Sequence, residues 1–150
     1  MKPNKFGLLI RGITANVNLF IGSKIEKYGI KQGQFEYFLL IYNTPGINQL
    51  ELARLKNVGK ASATKALKIL ENDGFVKREI DKKDRRNTLC YITKKGEKIV
   101  DDLMDVKTKA EKKLFKGFKN EDIKVFYKYL MLLNENSKNL AADSDEESLD

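Results

Sequence analysis

The sequence of 150 residues contains no histidine and a single cysteine, and this shortage excludes several kinds of site. Ordinary structural zinc sites need four Cys or His ligands, which this chain cannot supply. A lone thiol cannot close an intramolecular disulfide, so the composition fits a reducing cytoplasm. Catalysis by a Ser-His-Asp or Cys-His arrangement is excluded too. We therefore expect a cytoplasmic protein that is not an enzyme and that needs no metal or cofactor.

Long apolar runs are also missing. The short stretch Leu8–Ile10 is interrupted by Arg11, and no run of 18 apolar residues follows. A helix that spans a bilayer needs about 20 mostly apolar residues, so we expect no membrane contact and no signal peptide.

Positive charge, by contrast, is abundant. The formal net charge at pH 7 is +8, and residues 143–150 hold five acids and no base, so the rest of the chain is more basic still. A body with such an excess attracts polyanions, of which duplex DNA is the densest common one. Charge alone also fits a merely soluble basic surface, so the positions of the basic residues matter more than their number.

Apolar residues recur at steps of three and four, which predicts a mainly helical chain. One stripe runs from Phe6 to Ile25 and ends near Gly29, and a second helix is expected over about 32–42. After the middle of the chain, Thr93 is expected to cap a helix that reaches from about Lys94 to Phe115. A last amphipathic helix starts after Asn120, and the polar tail from about Asn136 onward is expected to be disordered.

The middle of the chain predicts two short helices and a hairpin. Asn48 is a good N-cap with Glu51 three residues later, as in a capping box, so a third helix begins there with Leu52, Ala53 and Leu55 on its apolar side. The fourth spans about Lys60 to Asn72, and its buried stripe is Ala63, Ala66, Leu67 and Leu70. Residues 75–80 and 88–93 favour two strands joined by a charged turn. Such a winged helix-turn-helix inserts one helix into the major groove of DNA and the hairpin into the adjacent minor groove.

Candidate DNA-binding residues lie on the fourth helix and in the hairpin turn. Thr64, Lys65 and Lys68 lie opposite the buried stripe, while Lys60 and Ser62 lie near the free N–H groups at the helix start. In the turn, Asp84 stands two residues before Arg86 and can orient its guanidinium for the narrow minor groove. The alternatives are a plain solvated helix face and a charged surface turn. The full candidate set is Lys60, Ser62, Thr64, Lys65, Lys68, Lys83, Asp84, Arg85 and Arg86.

Several stretches resemble the MarR family of winged helix-turn-helix transcription regulators. Residues 45–53 are similar to the entry of its support helix, and residues 63–78 to its recognition helix and first wing strand. Asp84-Arg85-Arg86, followed by 91–96, resembles its wing signature. The chain departs from the family pattern at Gly59, where serine is common, and at Lys65, where arginine is common and where lysine lacks the bidentate fork.

The resemblance implies a mainly α fold with a small β-hairpin wing and a homodimer formed by N- and C-terminal helices. It implies one domain over 1–140, with a DNA-binding core at about 30–100, dimerisation helices at about 4–27 and 94–138, and a disordered acidic tail at 141–150. The protein would bind a pseudo-palindromic operator in double-stranded DNA, as a repressor that a small, often aromatic, effector releases. By position, Thr64 and Lys65 would contact the major groove, and Arg86, held by Asp84, the minor groove.

Other interpretations stay open at this level. The same positively charged protein could be an architectural DNA-binding protein with little sequence preference, or a winged-helix module that binds proteins. The N- and C-terminal helices could also pack on each other within a monomer. Cys90 shares a strand face with Ile92 and is expected to be a buried core residue rather than a redox sensor. Four aromatic residues either line an effector pocket or pack as core: Phe20, Phe35, Phe38 and Tyr42.

Overall fold

The structure is a computed structural model that describes residues 2–147. The chain divides into two compact units, residues 1–110 and 111–150. The first unit contains α1 (Pro3–Ile25), a 3-10 turn (Glu26–Tyr28), α2 (Gln32–Asn43), β1 (Ile47–Asn48), α3 (Gln49–Lys56), α4 (Lys60–Asn72), β2 (Val76–Ile80), β3 (Thr88–Ile92), α5 (Lys94–Glu97) and most of α6 (Val100–Leu114). The end of α6 and all of α7 (Asn120–Glu147) form the second unit.

The predicted hairpin is confirmed, but the sheet is larger by one strand. β2 and β3 pair antiparallel, with Val76 opposite Ile92 and Ile80 opposite Thr88. The short strand β1 adds to the free edge of β3 and gives the order β1-β3-β2. Because β1 enters α3 directly, the sheet fixes where the helix-turn-helix begins.

The predicted helix signals are mostly confirmed. Gly29 ends the first helical segment at φ 79°, a left-handed conformation that glycine adopts without strain. The Asn48 side chain caps α3 by accepting a hydrogen bond from Leu50 N at 2.9 Å. The predicted capping box with Glu51 is not formed, because the Glu51 carboxylate instead accepts hydrogen bonds from the Arg54 guanidinium.

The core of the first unit lies between α2, α4 and the sheet. The predicted stripe of α4 is buried throughout, at Ala63, Ala66, Leu67 and Leu70. Phe38 of α2 meets Phe75 edge to face, with ring centroids 6.4 Å apart. Leu55, predicted on the apolar side of the third helix, is instead 47% exposed.

Two predicted helix boundaries are wrong. The helix predicted from Lys94 to Phe115 is divided into α5 and α6, because Ile99 N donates to Gly96 O three residues back and tightens the chain there. The last helix was expected to end near Asn136, whereas α7 continues to Glu147. Residues 136–147 contain no Gly or Pro, and residues 140–142 (Leu-Ala-Ala) are strong helix formers. Residues 148–150 of the predicted tail lie outside the described residues.

The expectation of no membrane-spanning helix needs one correction. By length and composition alone, the helical segment Lys5–Tyr28 could cross a membrane. Its C-terminal part packs on protein, since Ile21 and Ile25 are buried in the core of the first unit. The apolar window that meets the length and composition criterion is itself exposed in the single chain.

Candidate nucleic-acid interface

Helix α4 carries five of the nine predicted DNA-binding residues. Lys60, Ser62, Lys65 and Lys68 are exposed, whereas Thr64 is half-buried. The residues that line a shallow depression along one face of the helix are Lys60, Ala61, Thr64, Lys65, Lys68 and Ile69. Among residues 2–147, none of the three lysine ammonium groups has a carboxylate within ion-pair distance. The face therefore presents positive charge beside small side chains that permit close approach, although Lys68 also interacts electrostatically with Glu71.

The Thr64 hydroxyl already makes two hydrogen bonds within the protein. It donates to the backbone oxygen of Lys60 at 2.9 Å and accepts from Gln49 Nε2 at 2.7 Å. A hydroxyl has one proton, so Thr64 cannot also donate to a base edge without breaking its bond to Lys60. In this structure its polar group serves the protein itself.

The turn between β2 and β3, residues 81–87, is held by its own hydrogen bonds. Asp81 Oδ1 accepts from Lys83 N at 2.9 Å, which is the turn-forming contact typical of aspartate. Asp81 N donates to Asn87 O, and Asn87 N donates to Asp84 O. We call this segment the wing loop. It carries Lys83 and Arg85 as exposed cations.

Asp84 and Arg86 form the contact that their spacing predicts. Arg86 Nε donates to Asp84 Oδ1 and Arg86 Nη2 to Asp84 Oδ2, both at 2.9 Å. These hydrogen bonds lower the pKa of the Asp84 carboxyl and raise the pKa of Arg86. Because the Arg86 side chain is still 88% exposed, the pair presents an oriented guanidinium to the outside.

A network of polar side chains that the sequence did not predict joins α4 to α3 and β2. Arg78 on β2 donates through Nε and Nη2 to the Glu71 carboxylate, at 3.3 and 3.0 Å, and through Nη1 to Gln49 Oε1 at 3.2 Å. Gln49 in turn donates to Thr64, which completes a chain of side chains that we call the α4 relay (Glu71, Arg78, Gln49, Thr64). The hydrogen bond from Arg78 lowers the pKa of Glu71. No local sequence pattern predicts this network, because Gln49 and Arg78 are 29 residues apart in the chain.

Comparisons with known proteins agree with this geometry. A model of the MarR family matches residues 30–88, from the approach to α2 to the start of β3. The HTH-type transcriptional regulator YdgJ of Bacillus subtilis (strain 168) is 30% identical over 127 residues, which are 84% of this chain and 77% of YdgJ. A MarR transcriptional regulator from Methanosarcina mazei Go1 has a solved structure that superimposes with a TM-score of 0.83, at 30% identity over 91% of this chain and 99% of that one.

This chain belongs to the MarR family. The same fold appears in a MarR family transcriptional regulator from Listeria monocytogenes complexed with 26mer DNA. The TM-score there is 0.81 at 23% identity, over 91% of this chain and 89% of that one, so this likeness concerns the fold alone. YdgJ and the Methanosarcina mazei protein are both named transcriptional regulators.

The departure from the MarR pattern at Gly59 has a visible consequence. Gly59 is the N-cap of α4, and within residues 2–147 no side-chain hydrogen bond caps the start of this helix. Serine at this position would occupy one of the first N–H groups. With glycine, these donors are left at the start of the face that carries Lys60 and Ser62, where a phosphate oxygen could accept them.

Cys90 and two of the four aromatic residues lie in the core. Cys90 is fully buried, as expected, and burial raises the pKa of its thiol to about 11, so it stays protonated at neutral pH. Phe35 and Phe38 are buried in the core of the first unit, Phe20 is half-buried and Tyr42 is exposed. Across residues 2–147, no three His, Cys, Asp or Glu side chains gather closely enough to hold a metal ion.

Proposed function

We propose that this MarR-family protein binds double-stranded DNA in a sequence-specific manner, as a cytoplasmic, non-enzymatic transcription regulator. The observation that carries the proposal is the pairing of two cationic elements on one unit: the lysine face of α4 and the wing loop with Arg86 fixed by Asp84. A lysine-lined helix suits the major groove, and an oriented arginine suits the narrow minor groove beside it. The Listeria monocytogenes protein of the same fold, complexed with 26mer DNA, supports this reading.

We propose further that two copies bind together. Large apolar side chains are exposed along α1, including Leu8 and Leu19, and separately along α7, including Tyr129 and Met131. Exposed apolar surface of this extent marks an interaction site. A twofold dimer would place two α4 helices about 34–36 Å apart, which is one turn of B-form DNA, and would bind a pseudo-palindromic operator.

Repression, with release by a small aromatic effector, is the finer part of the proposal. It is supported by the family resemblance and by simple competition, since a dimer on its operator occludes other proteins. It is tested by a promoter-reporter assay: deleting the gene should raise expression from a promoter that carries the selected site. Lower expression would indicate an activator.

Selection of bound sites from a pool of random duplexes tests the main proposal. We expect a twofold-symmetric motif with half-sites about one helical turn apart, bound at least about 10³-fold more tightly than random duplex. Equal affinity for all sequences would instead identify an architectural protein. No duplex binding even at low salt would favour a protein-interaction module.

Replacing Arg86 with alanine should weaken binding to the selected duplex by roughly 5- to 150-fold and relax any preference for A·T-rich flanks. The reason is the loss of an oriented cation from the narrow minor groove. Titration of duplexes that differ only in their flanks measures the change. Lys82→Ala removes one charge from the same loop and should leave the flank preference intact. An unaltered preference in the Arg86 variant would remove the wing from the proposal.

Replacing Lys68 with alanine should weaken binding to all duplexes alike. A lysine that contacts phosphate releases about one counterion, so the slope of log affinity against log salt should fall by about one unit. Lys124→Ala on α7 is the matched control, and its slope should equal that of the unmodified protein. A sequence-dependent loss in the Lys68 variant would instead indicate a base contact.

A further inference from the structure

The face that α4 exposes contains few groups that read bases with directional hydrogen bonds. From Lys60 to Glu71 the helix has no Arg, Asn or Gln, the side chains that form bidentate contacts with guanine or adenine. Lysine is a flexible point charge without a fixed fork. Discrimination between DNA sequences therefore depends on the position of the α4 backbone in the groove. That position decides which small side chain or lysine of α4 contacts which base.

The α4 relay contacts the helix at two points. Thr64 and Glu71 are seven residues apart, which is two turns along nearly the same line of the helix and about 10 Å in axial distance. Core packing already holds the buried stripe of α4, and two polar contacts along one line add resistance to both rotation and sliding. The relay therefore has the geometry of a clamp.

Gln49 has the chemistry of a base reader, but its amide is already engaged. Its Nε2 donates to Thr64 Oγ1, and its Oε1 accepts from Arg78 Nη1. One N–H of Nε2 and one lone pair of Oε1 are thus used inside the protein, which favours a positioning role.

Arg78 gives the relay a rigid base. It stands opposite the fully buried Cys90 in the β2–β3 pairing, and its side chain is only 17% exposed. Its fork joins Glu71 of α4 to Gln49 of α3, so one side chain links the wing strand to both helices of the helix-turn-helix.

We infer that Gln49 and Arg78 are specificity-determining positioning residues, which hold α4 at the angle needed for sequence discrimination without touching DNA themselves. This inference rests on the proposed DNA-binding function. The inference predicts that variants of the relay lose affinity for the selected duplex and keep their affinity for random duplex. A general loss of structure would lower both affinities.

The first test is Gln49→Met, which keeps the size of the side chain and removes both hydrogen bonds. We expect the ratio of the affinity for the selected duplex to that for a scrambled one to fall roughly 2- to 30-fold. Affinity for the scrambled duplex and the salt slope should not change, since no charge is lost. Glu36→Gln, which removes the ion pair with Lys56 outside the relay, is the control and should keep the full ratio.

A double-mutant cycle of Thr64→Val and Glu71→Gln provides the second test. The two residues lie at opposite ends of the relay, at a separation where effects ordinarily add. If the relay couples them, the change in the affinity ratio for the double variant should differ from the product of the single changes by more than about twofold.

The outcomes separate the two proposals. A folded Gln49→Met variant with the original ratio, or a cycle in which the effects simply multiply, overturns the relay while DNA recognition stands. Should Gln49→Met not fold, as judged by circular dichroism, the cycle decides alone. An unmodified protein that discriminates between no duplexes overturns the proposed function, and the relay inference with it.

Discussion

Replacing Leu130 and Leu133 with glutamate should convert the protein into a monomer and weaken its binding to a two-half-site duplex by roughly 10²- to 10⁴-fold. Both leucines lie in the apolar stretch of α7 and are exposed in the single chain. If a second copy covers them, two buried carboxylates without partners will prevent association. The dimer gains affinity because the second α4 binds its half-site from within the same complex, and a monomer loses that gain entirely.

Analytical ultracentrifugation measures the mass, and titration with whole and half duplexes measures the affinity. Lys128→Glu is the control, because it introduces the same acid on the polar side of the same helix. It alters the net charge as much as the double substitution does, yet it should leave the dimer intact. A double variant that stays dimeric would move the interface away from this part of α7, and a monomer that keeps full operator affinity would remove the twofold model.

The family assignment gives these experiments a clear order. Because the chain belongs to the MarR family, DNA binding is tested first. The dimer is tested next and the relay last, since each test depends on the one before. Within the wing loop, Asp84 already orients the Arg86 guanidinium. Binding through Arg86 therefore costs less side-chain entropy than binding through a free arginine.

Elements with a local pattern were predictable from the sequence. The 3.6-residue period of Ala63, Ala66, Leu67 and Leu70 defined α4 and its buried side, and the structure has the same boundaries. The contact between Asp84 and Arg86 was predictable because two residues in a turn lie within reach of each other.

Features made by distant segments were not predictable in this way. β1 has two residues, too few to display a period, and it exists only because Cys90 and Leu89 offer a free strand edge. The α4 relay joins Gln49 to Arg78 across 29 residues, and each is an ordinary polar residue in its own segment. The hydrogen bond that Thr64 accepts was not predictable for the same reason, since its partner Gln49 lies 15 residues earlier on another helix.

Gly96 shows how a residue of the family signature can be explained by packing. A Cβ atom at this position would lie 2.6 Å from Ile92 Cγ2 and 2.6 Å from the backbone oxygen of Phe75. Neither neighbour can yield easily, because Phe75 O also accepts a hydrogen bond from Thr93 N. Thr93 in turn caps α5 through Gly96 N and donates to Gly74 O, so a shift here would disturb the joint between β3 and α5.

We therefore expect Gly96→Ala to reduce the free energy of unfolding by about 3 kcal/mol, at the upper end of the usual cost of overpacking. For a chain of this size, that loss corresponds to a fall in Tm of about 6–12 °C. Thermal unfolding followed by circular dichroism measures it. Gly33→Ala on α2 is the matched control: nothing lies within 4 Å of its added Cβ, so its Tm should stay the same or rise slightly. Equal Tm values for the two variants would mean that the close approach at Gly96 relaxes without cost, and the glycine in this signature would then need another explanation.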